Sequence, residues 1–192
     1  REYLGLIEST CFKRGTLSCL SCHSMHESDP NDQLAKQMDG NDACFQCHEE
    51  FKTTLEEHTH HSATSSGSLC YNCHMPHTSY ALFKGIRSHR IDSPSVANDV
   101  RTGRPNACNL CHLDQTLKWT ANNMAQWYGS EVPKLDADQE TIAASLLTVL
   151  KGDAVQRVVV AWLSGMEPAF HRSGGQGQVC LLAEFLDDEA PK

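Results

Sequence analysis

Apolar residues recur at helical spacing in the last third of the chain and only sparsely before it. Three helical stretches are predicted there, over residues 138–150, 154–163 and 179–186. The first carries an apolar stripe formed by Ile142, Leu146, Leu147 and Leu150. Asp153 is the predicted N-cap of the second. The pattern therefore predicts a short array of helices joined by tight turns.

The preceding residues contain few periodic apolar runs and many small polar side chains. Two helices are predicted among them, over residues 51–61 and 116–128. The first is predicted from one helical face that carries Phe51, Leu55 and His58. Asp114 is the predicted N-cap of the second helix, and Gly129 its predicted end. Residues 81–105 contain Pro94, Gly103 and Pro105 and are predicted to form an extended loop.

A five-residue pattern, Cys-x-x-Cys-His, occurs four times in this polar part of the chain. It is the attachment signal for c-type haem, in which both thiols become thioethers and the histidine reaches the iron. The predicted attachment cysteines are Cys19, Cys22, Cys44, Cys47, Cys70, Cys73, Cys108 and Cys111. The predicted proximal iron ligands are His23, His48, His74 and His112. Outside the motifs, Cys11 and Cys180 are expected either as a disulfide or as separate thiols.

Structural zinc is the alternative use of paired Cys-x-x-Cys sequences. Zinc does not explain why a histidine follows every second cysteine. Histidine makes up 11 of 192 residues, so four chance placements have a probability on the order of 10⁻⁵. A thioredoxin-like redox site would need one such motif near a βαβ pattern, not four in series. The sequence therefore predicts four covalently bound haem c groups.

The motif-bearing region has too few residues per haem to build an ordinary core around each one. We therefore expect a mainly α fold with much irregular structure, in which the porphyrins form the core. The predicted domains are a tetrahaem cytochrome c domain over residues 1–130 and an α-hairpin or HEAT-like segment over residues 131–192. So short an array cannot bury its own apolar face, and it must pack on the haem domain, on another chain or on further repeats.

Seven histidines remain as candidate sixth ligands for the four irons. Two axial histidines approach an iron from opposite faces, which puts their Cα atoms about 12 Å apart, whereas three extended residues reach about 10–11 Å. His26 therefore cannot complete the haem of His23, nor can His77 complete that of His74, although either could serve another haem. The predicted distal ligands are His26, His58, His61 and His89. Surface or propionate contacts are expected for His60 and His77, and His171 lies outside the haem domain.

Several segments resemble bacterial multihaem c-type cytochromes that carry HEAT- or tetratricopeptide-like repeats behind the haem domain. These segments are residues 70–80, 87–89, 104–112 and 127–129. The opening Cys-x-x-Cys-His-x-x-His of residues 19–26 is similar to the doubled Cys-x-x-Cys-His class, in which the trailing histidine binds a neighbouring haem. The resemblance implies bis-histidine haems in a stacked chain, an exported protein and a role in electron transfer.

Acidic residues outnumber basic ones by 24 to 16, a net charge of −8, and haem propionates would add to it. Nucleic acid is not an expected partner, because phosphate binding needs a basic surface. No apolar run approaches the roughly 18 residues of a membrane span. Because haem c is attached outside the cytoplasm, we expect an exported protein, periplasmic or extracellular at the cell surface, whose signal peptide preceded Arg1.

The predicted function is electron transfer through four closely spaced haems, with redox proteins as partners and no catalysed reaction of its own. One alternative is a small multihaem reductase, in which one iron has an open position with acid or base groups above it. Another is a haem filament or assembly subunit, in which copies of the chain form a homo-oligomer. The carrier and assembly roles are compatible with each other.

A denatured sample of the protein is expected to retain four haems, because thioether bonds survive unfolding. The mass of the intact, unfolded chain measures the number of attached groups directly. A mass with fewer haems, or with bound zinc, would contradict the interpretation of the motifs.

Replacement of His26 by alanine is expected to leave the haem of His23 low-spin and to open the sixth position of another haem. The reason is that His26 cannot reach back to its own motif. EPR spectra of the ferric protein would show one high-spin haem among four, and the changed potential would belong to that second haem. Four low-spin haems in the variant would exclude His26 as a ligand.

Overall fold

The computed structural model describes residues 2–26, 33–80, 84–166, 169–170 and 172. Within these ranges the chain is mainly helical with much irregular structure, which confirms the expected fold class at that level. The described residues form ten α-helices: α1 (Glu2–Glu8), α2 (Thr10–Arg14), α3 (Asp42–Phe45), α4 (Phe51–Thr59), α5 (Cys70–His74), α6 (Val96–Thr102), α7 (Leu117–Tyr128), α8 (Ala137–Thr141), α9 (Ala144–Lys151) and α10 (Ala154–Ser164). Three 3-10 helices in the same ranges cover Cys19–Ser21, Ser66–Ser68 and Cys108–Leu110. The predicted stretch at 179–186, His171 and Cys180 lie outside the described residues.

The prediction of an extended loop over residues 81–105 is wrong in two places. A two-stranded sheet pairs β1 (His77–Tyr80) with β2 (Lys84–Arg87). Helix α6 then forms because the Ser95 hydroxyl accepts a hydrogen bond from the Asn98 N–H, and Gly103 ends the helix at a φ of 68°. A good N-cap and a left-handed glycine outweigh the surrounding loop-forming residues.

The ends of the two helices predicted in the polar region follow from their caps. Helix α7 starts after Thr116 rather than Asp114, because the Thr116 hydroxyl accepts a hydrogen bond from the Trp119 N–H at 3.0 Å. Gly129 ends it at a φ of 66°, as predicted. Helix α4 stops at Thr59, before the predicted end, because His60 adopts a left-handed conformation with a φ of 56°.

The helix predicted over residues 138–150 is split into α8 and α9. Ile142 is extended, and Ala143 forms an antiparallel bridge with Thr116. The Ala144 N–H donates to the Gln115 carbonyl at 2.9 Å. Pairing with a distant segment therefore replaces the helical hydrogen bonds at this point, which a local apolar pattern cannot reveal. Helix α10 begins after the predicted N-cap Asp153, whose carboxylate accepts from two backbone N–H groups.

Backbone contacts divide the chain into two compact units. The first comprises Arg1–Pro76 with Arg87–Ser93 and contains the first three motifs. Among its described residues the buried apolar side chains are Leu6 and Ala43. Long-range polar contacts connect its segments, since Asn41 donates to the Ser68 carbonyl at 2.8 Å and accepts from the Cys70 N–H at 2.9 Å. This unit therefore has little apolar core of polypeptide.

The second unit comprises His77–Ile86 with Pro94–Lys192 and contains the fourth motif. It has two apolar clusters among its described residues. One contains Val96, Ala121 and Met124. The other joins Leu110, inside the fourth motif, to Val159 and Leu163 of α10. The last helices thus pack directly on a haem-attachment motif, while the predicted domain boundary at residue 130 stays a prediction.

None of the helices in the described ranges has both the length and the apolar character that a bilayer crossing requires.

Replacement of Leu110 by alanine is expected to lower the free energy of unfolding of the holoprotein by about 2–5 kcal/mol. Leu110 is 5% exposed and packs on α10. Leu20 occupies the first x position of its own motif and is 73% exposed, so Leu20→Ala is expected to cost less than about 0.5 kcal/mol. Denaturant unfolding followed by circular dichroism compares the two variants. Equal losses of stability would contradict the packing of the fourth motif on α10.

Candidate haem sites

Every Cys-x-x-Cys-His motif includes a helical turn. The first and fourth lie on the 3-10 helices Cys19–Ser21 and Cys108–Leu110, the second begins in α3, and the third is α5 itself. In the first, second and fourth motifs, the histidine N–H donates to the carbonyl of the first cysteine at 2.8–2.9 Å. A helical turn brings positions i, i+3 and i+4 to one side. Both thiols and the imidazole therefore lie on one face, which suits attachment to a single haem.

Buried polar groups fix the fourth motif. Asn109 is 4% exposed; its amide donates to the Gln115 carbonyl at 3.0 Å and accepts from the Thr120 hydroxyl at 2.8 Å. Asn106, also buried, accepts from the Cys108 N–H at 2.9 Å. Because buried polar groups need partners, these bonds hold the attachment turn in one position.

The third motif is fixed from both sides. The Tyr71 hydroxyl donates to the Met38 carbonyl, and the Asn72 amide donates to the Ser66 carbonyl at 2.7 Å. The Arg87 guanidinium donates to the Asn72 side-chain oxygen at 2.9 Å and lies 5.5 Å from the centre of the Tyr71 ring. The contacts with Arg87 and Met38 reach positions 15 and 33 residues away in sequence, so distant parts of the chain help to position the motif.

Thiols of different motifs lie close together in the first unit. Cys44 and Cys70 share a hydrogen bond, which lowers the pKa of the Cys70 thiol to about 7 and, with burial, raises the pKa of Cys44. Burial, with a smaller contribution from the charge of the nearby Cys47, raises the pKa of Cys22. The attachment positions of the first three motifs are therefore close neighbours. Cys11 forms no disulfide with any described cysteine.

His23 and His89 form a pair of nearly parallel imidazoles. Their ring centres are 6.2 Å apart and the ring planes differ by 18°. The Nδ1 of His23 lies 3.1 Å from the Gln33 carbonyl oxygen, and that of His89 lies 3.2 Å from the Arg87 carbonyl oxygen. A carbonyl can only accept, so each Nδ1 carries the proton. Nε2 is then the nitrogen that can coordinate iron in both rings.

His58 and His74 form a second pair with the same geometry. Their ring centres are 6.0 Å apart and the planes differ by 8°. The Nδ1 of His74 lies 3.1 Å from the Asp92 carbonyl oxygen, which again leaves Nε2 for a metal. Burial, with a smaller contribution from the nearby His74, lowers the pKa of His58. A lowered pKa favours the neutral imidazole, the form that binds metals.

Both separations fit an iron between the rings. Metal–imidazole bonds are about 2 Å long, so two axial ligands on one iron have ring centres about 6 Å apart. Each pair combines the proximal histidine of one motif with a histidine predicted as distal. The residues present therefore fit bis-histidine ligation at the first and third motifs.

Phe51 lies between ligand candidates of two different motifs. Its ring centre is 6.1 Å from that of His48 and 4.3 Å from that of His58. The contact with His58 spans α4, in which Thr54 has a non-helical φ of −118° and ψ of 19°. The Nδ1 of His48 lies 3.7 Å from a Glu50 carboxylate oxygen. One aromatic side chain thus links the second motif to the predicted distal ligand of the third.

Hydrogen bonds with neighbouring residues hold His61. Its Nδ1 lies 2.6 Å from the Thr59 carbonyl oxygen, and its own carbonyl accepts from the buried Ser68 hydroxyl at 3.1 Å. A Cβ on Gly67 would lie 2.3 Å from Cδ2 of the His61 ring, so a larger residue there would displace the ring from this position. The iron that His61 would serve stays a prediction.

The other histidines of interest have different surroundings. His26 is exposed, and its backbone N–H donates to the Ser24 hydroxyl at 3.4 Å. The His112 ring centre is 4.9 Å from that of Trp119, and that of His77 is 4.9 Å from that of Trp162. The ligand role of His26 stays a prediction, and His77 packs edge-on against an aromatic ring of α10.

Sequence reasoning missed the groups that orient the imidazoles. These are the backbone carbonyls of Gln33, Thr59, Arg87 and Asp92. A backbone carbonyl is present at every position, so residue type carries no signal for this role. Only the two acceptors two residues from their histidines could have been proposed from local turn geometry.

Residues 11–53 match the family model described as the doubled CXXCH motif. The matched segment covers the first two attachment motifs and supports the class of multihaem c-type cytochromes, with haem c bound covalently at two or more sites. Proteins of this class are typically exported. No curated protein and no solved structure matches the chain.

Proposed function

We propose that the protein carries electrons through four covalently bound c-type haems with bis-histidine ligation, arranged as a closely spaced chain. The observation that carries this proposal is the spacing of two histidine pairs. The ring centres of His23 and His89 are 6.2 Å apart, and those of His58 and His74 are 6.0 Å apart. Two axial imidazoles on one iron have about this separation. Filled axial positions are typical of haems that transfer electrons rather than bind substrates. Haem c would supply the one-electron chemistry.

Close spacing is supported by the attachment cysteines. Cys44 would bind the second haem and Cys70 the third, and their sulfur atoms are in contact. Cys22 of the first motif and Cys47 of the second are also neighbours. Because each sulfur bonds to the edge of its own macrocycle, contact between sulfurs supports contact between haem edges. The first three haems would then follow one another in sequence order.

The groups around these sites fix the protonation and the orientation of the histidine ligands. Carbonyl oxygens fix the proton on Nδ1 of His23, His74 and His89, which keeps Nε2 directed to metal binding. Phe51 packs between His48 and His58 and restricts both rings. Rigid ligands keep the geometry the same in both oxidation states, which favours fast electron transfer.

The fourth haem would be bound by Cys108, Cys111 and His112 in the second unit. Trp119 packs beside His112, and the buried Asn109 fixes the turn that carries both cysteines. His26 and His61 are proposed as further sixth ligands. Redox proteins in the periplasm or at the cell surface are the proposed partners, and positively charged surfaces would complement the net charge of −8.

Replacement of His58 or His89 by alanine is expected to convert one haem of four to the high-spin state, because each change removes one axial ligand. EPR and visible spectra of the ferric holoprotein measure the number of high-spin haems. His60→Asn is the matched control, since His60 is exposed at the end of the same helix as His58 and asparagine tolerates its left-handed backbone. Unchanged spectra for both alanine variants would overturn the bis-histidine assignment.

A further inference from the structure

The helix at the start of the described chain packs against the segment that carries His89. Ser9, directly after α1, is 1% exposed. Its hydroxyl oxygen accepts a hydrogen bond from the Ile91 N–H at 2.9 Å. The hydroxyl proton has two acceptors, the carbonyls of Gly5 and His89, each at 3.3 Å. One buried side chain thus bonds to the backbone on both sides of Arg90.

Gly5 permits this close approach. A Cβ at this position would lie 2.8 Å from the Arg90 nitrogen and 3.1 Å from the His89 carbonyl carbon. Both are backbone atoms, which cannot move aside as the end of a flexible side chain can. Any larger residue would therefore push α1 away from the segment, or the segment away from α1.

Buried contacts contribute more than ion pairs to the packing of α1 against the segment that carries His89. Arg90 also pairs with Glu8 at 3.2 Å and with Asp92 at 3.4 Å, but these side chains are about half exposed. Exposed ion pairs contribute little to stability, whereas loss of a buried hydrogen-bonding group leaves its partners unsatisfied. Ser9 and Gly5 are therefore the contacts whose loss should move His89.

The attached segment orients ligands of two proposed haems. The Arg87 carbonyl accepts from Nδ1 of His89, and the Asp92 carbonyl accepts from Nδ1 of His74. The Asp92 N–H in turn donates to the His74 carbonyl at 3.2 Å. A shift of this segment would therefore change ring orientation at the His23–His89 pair first and at His74 second.

We propose that Ser9 and Gly5 are positioning residues for the axial ligand His89, so that the first helix keeps the sixth position of the first haem closed. Neither residue contacts the ligand ring; both act through the backbone at residues 89–91. The inference rests on the proposed function, because it assigns His89 to the iron of His23. It gives the opening helix a role that its sequence does not indicate.

The test measures how often the sixth position opens. Carbon monoxide binds a reduced haem only when an axial ligand has left, so its binding rate reports the departure of His89. Ser9→Ala and Gly5→Ala are expected to raise this rate about tenfold for one haem of four. Each variant should also shift the potential of that haem, which is set largely by its axial ligands.

Two matched controls separate positioning from general loosening of the fold. Gly40→Ala adds a methyl group where no heavy atom lies within 4 Å among the described residues. Ser65→Ala removes a buried hydroxyl that has no hydrogen-bond partner in the described part of the chain. Neither control should change the rate or the potential. Equal effects in the controls and in the Ser9 and Gly5 variants would overturn the proposal.

Combination with His89→Ala makes the outcome specific. If Ser9 acts through His89, then Ser9→Ala adds no further increase in rate once His89 is absent. An additive increase would overturn the positioning role while leaving the proposed ligation intact. If His89→Ala itself opens no haem, the ligation fails and the inference fails with it. Should Gly5→Ala not yield holoprotein, the milder Ser9→Ala, alone and with His89→Ala, gives the same test.

Discussion

The hydrogen bond from a histidine Nδ1 to a backbone carbonyl is the interaction on which the candidate haem sites depend. It fixes the ring proton and the ring orientation, and for His23 and His74 it also connects the ligand to another segment, at Gln33 and at Asp92. One such bond contributes only about 1 kcal/mol to stability. Its effect on metal binding is larger, since loss of such partners typically weakens a site by about 10–100-fold. The irregular loops of the first unit therefore supply the backbone carbonyl groups that orient these imidazoles.

Local features of this fold could be predicted from the sequence because local geometry determines them. The Cys-x-x-Cys-His spacing fixes three side chains on one helical turn whatever surrounds it. The ends at Gly129 and Asp153 follow from backbone conformation and capping within a few residues. The Phe51–His58 contact lies on the predicted helical face, although Thr54 interrupts the regular helix between the two residues. Each of these depends on atoms no more than two helical turns apart.

Other features could not be predicted because they depend on distant pairing. The break at Ile142 exists because Ala143 pairs with Thr116, 27 residues earlier. The proximity of His23 to His89 and of His58 to His74 joins positions 66 and 16 residues apart. His89 is a candidate because the irons need a sixth ligand each. The number of irons does not show which proximal histidine lies opposite His89. Tertiary contacts override local preference at all of these points.

The two units differ in how much apolar core their polypeptide forms, although both contain Cys-x-x-Cys-His motifs. The first unit contains three attachment motifs, yet its described residues bury only Leu6 and Ala43 among apolar side chains. The second unit contains one motif, and the equivalent turn buries Leu110 against α10. Burial of apolar surface contributes about 25 cal/mol per Å² whichever molecule provides that surface. On the proposed count of four haems, three porphyrins in the first unit would provide what its polypeptide lacks, whereas the second unit would use its helices to complete the core around one.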